Sequence, residues 1–415
     1  AFKAGTYEGS AQGYGGTLKV EVVLSDDAID SVTVTENGET EGIGSKAVEA
    51  LPKAIVDAQS VDVDSVSGAT VSSEAIKAAV TMALEAAGVD ASKLVKQEGK
   101  TEVTNETKDV DVVIIGAGGA GMSAAIEAAD AGKSVLIVEK ASMTGGNTTR
   151  ATGGMNAAAT PEQAGLEFKE AAGVEKTLAA AKEGYPELAD LIATVEKQYE
   201  DYKASGSTAY FDSVELFELD TLVGGKNLND PELVKVLAGN SADGIAWLKT
   251  VGADLSEVGS FGGASVKRIH KPVKDGKTIA VGSYLVPILE QATKDRNIEI
   301  LFETPATEII MKDGVAAGIK ASSKTVNYTI NAKAVVIASG GFAGNAEMVE
   351  KLNPELKGFV STNAPTITGD GIAMGEAVGA ATVDMDQIQI HPTVEQNTAA
   401  LITEGLRGDG AIRSE

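Results

Sequence analysis

The sequence predicts an α/β protein whose larger part is a doubly wound domain, preceded by a small α+β domain. The first observation is a continuous apolar run at Val110–Ile115, followed by glycines, an alanine-rich helix to Ala131 and a short β run at Ser134–Glu139. Strand, helix and strand in that order are typical of a βαβ unit, with which a parallel sheet begins. The second observation is a change of composition at Asp109, before which the chain has strands and helices of its own.

Residues 1–97 make up the predicted small domain. Thr17–Leu24 is rich in β-forming residues, and Ile29–Thr35 alternates like a partner strand. Ser45–Gln59 and Ser73–Ala87 carry apolar residues at three- and four-residue spacing, which predicts two helices.

The rest of the chain divides by composition. Residues 98–108 are polar and lack periodicity, which predicts a linker, and residues 109–385 form the predicted larger domain. Residues 161–217 are rich in Ala, Glu and Lys and predict helices in a surface insertion. Further strands are predicted at Ile298–Phe302, Thr307–Met311, Val315–Lys320, Val326–Ile330 and Ala334–Ala338, with a hairpin turn at Lys312-Asp313-Gly314.

Charge and composition exclude several classes of function. The formal net charge of −25 and the pI near 4.5 make nucleic acid and anionic membrane surfaces poor partners, and favour cationic ones. The chain has no cysteine, which excludes disulfides, iron–sulfur ligation and c-type haem attachment within it. Glycine is abundant, at 47 of 415 residues, which predicts many tight turns or close approaches of backbone to a ligand.

The first motif with a chemical meaning is Gly116-Ala117-Gly118-Gly119-Ala120-Gly121. It follows a predicted strand, opens a predicted helix, and is followed by Glu139 at the end of the next strand. In a dinucleotide fingerprint such glycines bring backbone against a pyrophosphate at a helix N-terminus, and the acid binds a ribose hydroxyl. The alternative is a tight turn without a ligand, and this motif alone does not distinguish FAD from NAD.

Four further segments of small residues follow in the larger domain: Gly145-Gly146-Asn147-Thr148, Gly153-Gly154-Met155-Asn156, Ser339-Gly340-Gly341 and Thr368-Gly369-Asp370-Gly371. Four such turns favour FAD, since a long ligand needs backbone packed along its length. The predicted FAD-binding residues outside the fingerprint are Glu139, Lys140, Gly145, Gly146, Asn147, Thr148, Gly153, Gly154, Met155, Gly340, Gly341 and Asp370.

A second motif, Asp64-Ser65-Val66-Ser67-Gly68-Ala69-Thr70, lies in the small domain. It presents hydroxyl groups at the entry to a predicted helix, where a phosphate would be stabilised. On chemistry alone, a helix cap formed by Ser67, Thr70 or Ser72 is the favoured interpretation.

Residues 1–97 resemble the FMN-binding domain of bacterial flavoproteins and of the Na⁺-pumping quinone reductase. In that family a dedicated transferase links the FMN phosphate to the last Thr of an Asp-x-x-Ser-Gly-Ala-Thr motif. The motif is present here residue for residue, so the resemblance assigns covalent FMN to Thr70 and implies a flavin transferase as a partner.

Residues 109–415 resemble the flavoprotein part of flavocytochrome c-type fumarate reductases, an FAD-dependent fumarate and urocanate reductase family. The matching stretches are GGNTTRATGGMNAA, GGKNLNDPELVKVL, GGASVKRIHKP, SGGFAGN, TGDG, HPT and TEGLRGDGAI. The resemblance implies a Rossmann-like domain that binds FAD non-covalently, with residues 386–415 beginning a capping domain over the substrate.

The same resemblance assigns catalytic roles. His391 and Thr403 would bind a substrate carboxylate, and Glu404 and Arg407 would relay protons toward the acid. Charge-assisted donors suit a carboxylate, and polarising it prepares the alkene for hydride attack. Thr403 and Glu404 could instead cap a helix, and Arg407 could form a surface ion pair. We assign no role to His270, the other histidine, and predict no metal site.

These resemblances predict an oxidoreductase in which electrons enter at FMN, pass to FAD and reduce an enoate, most simply fumarate to succinate. Urocanate or another 2-enoate is the alternative substrate, although we would expect His391 to be replaced in a urocanate reductase. An electron-transfer module and a dehydrogenase working in the oxidising direction are further alternatives. The electron donor would be a membrane quinol chain, a cytochrome or a flavin carrier.

Two expectations concern location and extent. Covalent FMN favours an extracytoplasmic location, although cytoplasmic relatives exist, and a leader could have preceded Ala1. Members of the family continue beyond the position of Glu415, through the proton-donating arginine and the rest of the capping domain. We therefore expect a truncated chain that binds flavin less tightly and does not turn over substrate by itself.

Overall fold

The computed structural model of the chain describes residues 2–41, 44–66, 69–94, 103–260, 262–391 and 394. Contacts divide these residues into two compact units, one made of residues 1–146 and 296–391, the other of residues 147–295. The single domain predicted over residues 109–385 is therefore divided between the two units. Within the described ranges, no helix combines the length and apolarity needed to cross a bilayer.

The small N-terminal domain is a three-stranded antiparallel sheet with two helices. The strands are β1 (Gly5–Gln12), β2 (Thr17–Leu24) and β3 (Ile29–Glu36), paired in that order. The helices are α1 (Gly44–Ala58) and α2 (Thr70–Ala86). All four predicted elements are confirmed, although α2 begins three residues before the predicted Ser73.

The core of this domain follows the two periodicities of its elements. In β2 every second side chain is buried, and in α1 the buried residues recur at three- and four-residue intervals. The inward residues of these two elements are Leu18, Val20, Val22, Leu24, Ala47, Leu51 and Ile55. Thr70, the first residue of α2, lies outside this core and is exposed to solvent.

A six-stranded mixed sheet forms the rest of the first unit, in the order β11-β5-β4-β14-β13-β12. Its strands are β4 (Thr104–Ile115), β5 (Val135–Val138), β11 (Glu299–Leu301), β12 (Ala306–Lys312), β13 (Val315–Ser322) and β14 (Val326–Ile337). The helices of this part are α3 (Gly119–Asp130), α9 (Ala346–Leu352) and α10 (Asp370–Ala377). Strands β11, β5, β4 and β14 run parallel, which confirms the doubly wound arrangement.

Two strand predictions differ from the structure for one reason. The predicted linker over residues 98–108 overlaps β4, whose residues from Thr104 onward pair with β14 from Val326 onward. The two strands predicted at Val326–Ile330 and Ala334–Ala338 are one continuous strand, β14. In both cases polar residues occupy an exposed stretch of ladder, where backbone pairing and not burial maintains the strand. The turn at Asp313-Gly314 is confirmed, with both residues at positive φ.

The second unit combines helices with short strands. Its helices are α4 (Ala171–Gly184), α5 (Ala189–Ser205), α6 (Val214–Gly224), α7 (Pro231–Thr250) and α8 (Val281–Asp295). Its strands are β6 (Met155–Asn156), β7 (Glu257–Gly259), β8 (Ile269–Lys271), β9 (Val273–Lys274) and β10 (Lys277–Thr278), with β8 between β6 and β7. The helices predicted over residues 161–217 are present as α4, α5 and the start of α6, and Val174, Val195 and Leu216 are fully buried in the core that these helices share.

Candidate functional site: a dinucleotide cradle and an attachment threonine

The turn after β4 is built from positions that exclude side chains. Gly116 has a φ of +105°, and a Cβ there would lie 2.6 Å from the carbonyl oxygen of Ala338, after β14. A Cβ on Gly121 would lie 1.9 Å from the carbonyl oxygen of Gly116. Strand, turn and helix therefore approach one another as only glycine permits.

Helix α3 starts from this turn without a side-chain cap. Gly118 is its N-cap, with extended backbone and no side-chain capping bond, and the first turn contains Gly119, Ala120 and Gly121. Gly118 forms a parallel bridge with Gly145, whose N–H donates to the carbonyl oxygen of Ala117 at 2.9 Å. A helix N-terminus surrounded by small residues has the chemistry of a phosphate-binding site.

Glu139 lies just after β5, beside the same turn. Its Oε2 accepts from the N–H of Ala117 at 2.7 Å, and its Oε1 accepts from the N–H of Ala141 at 2.6 Å. Burial raises the pKa of Glu139 above its usual value, although the N–H groups of Ala141 and Ala117 oppose the shift. This is the position of the ribose-binding acid in a dinucleotide fold.

Lys140 joins β5 to the start of α10. Its Nζ donates to Asp370 Oδ2 at 2.7 Å and to the hydroxyl of Thr368, which itself donates to Asp370 Oδ1 at 2.8 Å. Although burial alone would raise the pKa of Asp370, the hydrogen bonds from Lys140 and Thr368 lower it below its usual range. Two of the predicted cofactor-binding residues, far apart in sequence, are therefore hydrogen-bonded partners.

Further glycines lie in the turns that follow β14 and precede α10. Gly340 has a φ of +77°, and the carbonyl oxygen of Gly341 accepts from the N–H of Gly369 at 3.1 Å. A Cβ on Gly371 would lie 2.1 Å from Ser339 Oγ. Because β4 and β14 are parallel neighbours, the turns that follow them meet at one edge, where ligands of doubly wound sheets bind.

Gly146, with a φ of +48°, is the last residue of the first segment of the first unit, and the predicted FAD-binding residues after it, from Asn147 to Met155, belong to the second unit. Asn147 and Thr148 start a short helical turn, and the carbonyl oxygen of Thr148 would lie 1.9 Å from a Cβ on Gly282. Gly153 and Gly154 precede β6, in which Met155 pairs with His270 of β8.

Arg268 occupies the core of the second unit and was not predicted from the sequence. Its Nη2 and Nε contact the two carboxylate oxygens of Asp212 at 2.7 and 3.1 Å, and its Nη1 contacts Asp220 Oδ2 at 2.9 Å. Although burial opposes its charged form, the two aspartates raise the pKa of Arg268. The residues lie 56 and 48 positions apart, so no local sequence pattern could have paired them.

Thr70, predicted to carry FMN, is the first residue of α2. Ala69 is the N-cap of this helix and provides no side-chain capping bond, and among the described residues the Thr70 hydroxyl makes no hydrogen bond. The hydroxyl of Ser72 donates to Glu39, and that of Ser73 accepts from the N–H of Val66. Neither Thr70 nor Ser72 caps α2, and Ser67, the third predicted capping residue, lies outside the described residues. Thr70 is exposed at the N-terminus of the helix.

The predicted catalytic residues are largely outside the described part of the chain. His391 is half-buried near the end of the first unit. Thr403, Glu404 and Arg407 lie outside the described residues. Their grouping around a substrate carboxylate stays a prediction.

We call the turn Gly116–Gly121, together with Glu139 and the glycines after β14, the cradle. Its chemistry fits FAD, with a helix N-terminus of small residues for the pyrophosphate, an acid at the end of β5 for the ribose, and glycines at each close approach. These features define a flavin nucleotide-binding protein of the doubly wound class. The sequence pattern of the FAD binding domain family matches residues 111–198 and 202–414, and that of the FMN-binding domain matches residues 13–85. The chain belongs to the FAD binding domain family and carries an FMN-binding domain before it.

Two curated relatives cover different shares of the chain. An NADH:fumarate oxidoreductase of Klebsiella pneumoniae (strain 342) is 37% identical over 413 residues, which are 99% of this chain and 39% of the relative. A fumarate reductase (cytochrome) of Shewanella frigidimarina is 40% identical over 320 residues, which are 76% of this chain and 48% of the relative. The chain thus spans less than half the length of either protein.

Among solved structures, the open conformation of a flavocytochrome c3 fumarate reductase is similar, with a TM-score of 0.59 and 33% identity. The match covers 72% of this chain and 46% of that one.

Proposed function

We propose that the protein is a flavin-dependent reductase that adds a hydride and a proton across the C=C bond of an unsaturated carboxylate, with fumarate as the first substrate to test. The observation that carries the proposal is the glycine cradle around Gly116 and Gly121, in a chain 37–40% identical to relatives named for fumarate. His391, the predicted carboxylate ligand, is intact.

FAD, when bound and reduced by the electron donor, would supply the hydride to one alkene carbon. Residues Gly116–Gly121 would hold its pyrophosphate and Glu139 its ribose, and the backbone of Gly153–Met155 would lie along the cofactor. His391 and Thr403 would bind the substrate carboxylate and draw electron density away from the alkene. Glu404 and Arg407 would relay a proton toward the acid that protonates the other alkene carbon, so that hydride and proton together yield the saturated acid.

Thr70 is proposed as the attachment point of FMN, through a phosphoester that a dedicated flavin transferase forms. An exposed hydroxyl at the start of α2 is accessible to such an enzyme, and the helix N-terminus favours the phosphate charge. Electrons from an external donor would then enter at the small domain and pass to FAD.

We propose that the protein lies outside the cytoplasm and takes part in anaerobic respiration, because a covalently attached cofactor cannot dissociate from the protein there. A membrane quinol chain, a cytochrome or a flavin carrier would donate electrons. The net charge of −25 favours a donor with a cationic surface.

The proposal is tested with a full-length version of the protein, co-expressed with a flavin transferase, by following oxidation of a reduced viologen dye in the presence of fumarate, urocanate, methacrylate or cinnamate. We expect rapid turnover with fumarate that is lost in His391→Ala. Activity with a different enoate alone would keep the mechanism and change the substrate. No activity with any of the four, despite bound FAD and FMN, would contradict the proposal and favour an electron-transfer module.

A further inference from the structure

His270 is a fully buried side chain to which the proposed reaction gives no role. Its Nδ1 lies 2.9 Å from the carbonyl oxygen of Arg268, and its Nε2 lies 2.7 Å from Thr160 Oγ1. A carbonyl oxygen can only accept, so Nδ1 carries the proton. Burial lowers the pKa of His270, which favours the neutral ring, and the Thr160 hydroxyl then donates to Nε2.

The backbone of His270 supports the glycine segment before β6. Met155 pairs with His270 across the short ladder, and a Cβ on Gly154 would lie 2.3 Å from the His270 carbonyl oxygen. The N–H of Ala157, just after β6, donates to the carbonyl oxygen of Arg268 at 3.1 Å. The position of the segment Gly153–Met155 is therefore set by direct backbone contact with β8.

Gln163 connects Thr160 to the buried ion pair. Its Oε1 accepts from the N–H of Thr160 at 2.9 Å, and its Nε2 donates to Asp212 Oδ2 at 2.8 Å and to the carbonyl oxygen of Lys267 at 2.9 Å. Thr160, Gln163, Asp212, Arg268 and His270 thus form a closed ring of hydrogen bonds, which we call the β8 network.

Stability alone does not account for a network of this kind. Buried ion pairs can often be replaced by apolar residues of similar volume without loss of stability, because desolvation offsets their attraction. A fully connected polar ring, in contrast, defines a single arrangement of the groups it joins. In the second unit, the backbone that the ring of hydrogen bonds holds in one arrangement is the segment Gly153–Met155, next to β8.

We propose that Thr160, His270 and Arg268 are positioning residues that hold the segment Gly153–Met155 at the place where it contacts FAD. The proposal rests on the proposed function, because that function places this segment along the cofactor. It assigns a role to a histidine that the reaction does not use.

The test compares two variants that each remove one hydroxyl, one inside the β8 network and one outside it. Thr160→Val removes the donor to His270. Thr177→Val removes the 3.0 Å hydrogen bond to Asp220 Oδ1, and neither of these two residues belongs to the β8 network. Thr160→Ser, which keeps the hydroxyl, is the rescue variant. The measurements are the FAD dissociation constant, the visible circular dichroism of bound FAD, its midpoint potential and the melting temperature.

We expect Thr160→Val to weaken FAD binding about tenfold, the effect of one lost buried hydrogen bond expressed at the cofactor. Its flavin circular dichroism and midpoint potential should also change. Thr177→Val should lower the melting temperature comparably but leave FAD affinity within about twofold of the unmodified protein. Thr160→Ser should behave as the unmodified protein.

Equal effects of Thr160→Val and Thr177→Val on FAD, or no effect of either, would overturn the inference and reduce the network to a structural role. This outcome is independent of enoate turnover. A protein that binds FAD and shows the expected difference, yet reduces no enoate, would retain the inference and contradict the proposed function.

Discussion

The cradle around Gly116 and the network around Arg268 fix backbone in opposite ways. At the cradle, side chains are absent, and one added methyl group at Gly121 would meet a carbonyl oxygen at 1.9 Å. In the network, charged and polar side chains 1–4% exposed hold the backbone, and each has its partners. The first region cannot accept added atoms, whereas the second cannot lose them, and substitutions at the two should fail for different physical reasons.

The largest effect is expected where a buried charge loses its partner. Arg268→Met leaves Asp212 and Asp220 buried without their cation and should destabilise the second unit by about 3–5 kcal/mol. Trp247, the sole tryptophan, lies in α7 of this unit, so its fluorescence during urea unfolding provides the measurement. Lys197→Met is the control, because its pair with Asp201 is exposed and should contribute less than about 1 kcal/mol. Equal losses in both variants would show that the network carries no special stability.

A smaller stability loss, joined to loss of cofactor, is expected at the cradle. Gly121→Ala forces α3 away from the turn at Gly116 and should cost about 1–3 kcal/mol. Because the displaced helix N-terminus is the proposed pyrophosphate site, FAD should also be lost during gel filtration. Gly239→Ala in α7 meets no atom within 4 Å and should stabilise the protein by about 0.5–1 kcal/mol. FAD retained by Gly121→Ala would show that the turn does not contact the cofactor.

The smallest effect is expected at Lys140, whose pair with Asp370 is partly exposed. Lys140→Met should cost less than about 1 kcal/mol at neutral pH, and less again in high salt. The pKa of Asp370 is lower in the folded state than in the unfolded state. The pair therefore stabilises the folded protein at a pH above the unfolded-state pKa, and this stabilisation is lost as the pH falls through the folded-state pKa. The difference in melting temperature between this variant and the unmodified protein should therefore be largest near pH 7 and should disappear below about pH 4. A difference that grows in acid would contradict this account of the pair.

The two regions also differ in how far the sequence predicts them. Gly116, Gly118 and Gly121 could be placed because backbone sterics allow few residues at a strand–helix turn, and their spacing is local. Asp212, Asp220 and Arg268 could not be paired, since the residues lie 56 and 48 positions apart and their contact depends on the tertiary structure. Gln163 and Thr160, which link that pair to His270, lie in turns without any periodic pattern.

The same distinction applies to the secondary structure. Elements with a buried face, such as β2 and α1, are confirmed within a residue or two because burial imposes periodicity. The first half of β4 was predicted as linker because its residues are polar, and only the ladder with β14 reveals it as a strand.

We propose that the chain holds two flavins at separate sites, FMN by a covalent bond at Thr70 and FAD by the backbone around Gly116. The direct measurement is flavin analysis after acid precipitation of protein co-expressed with a flavin transferase. The account predicts FMN in the precipitate and FAD in the supernatant, with Thr70→Ala losing only FMN and Gly121→Ala losing only FAD. A precipitate without FMN, or FMN retained in Thr70→Ala, would contradict the covalent site; a supernatant without FAD would contradict the cradle.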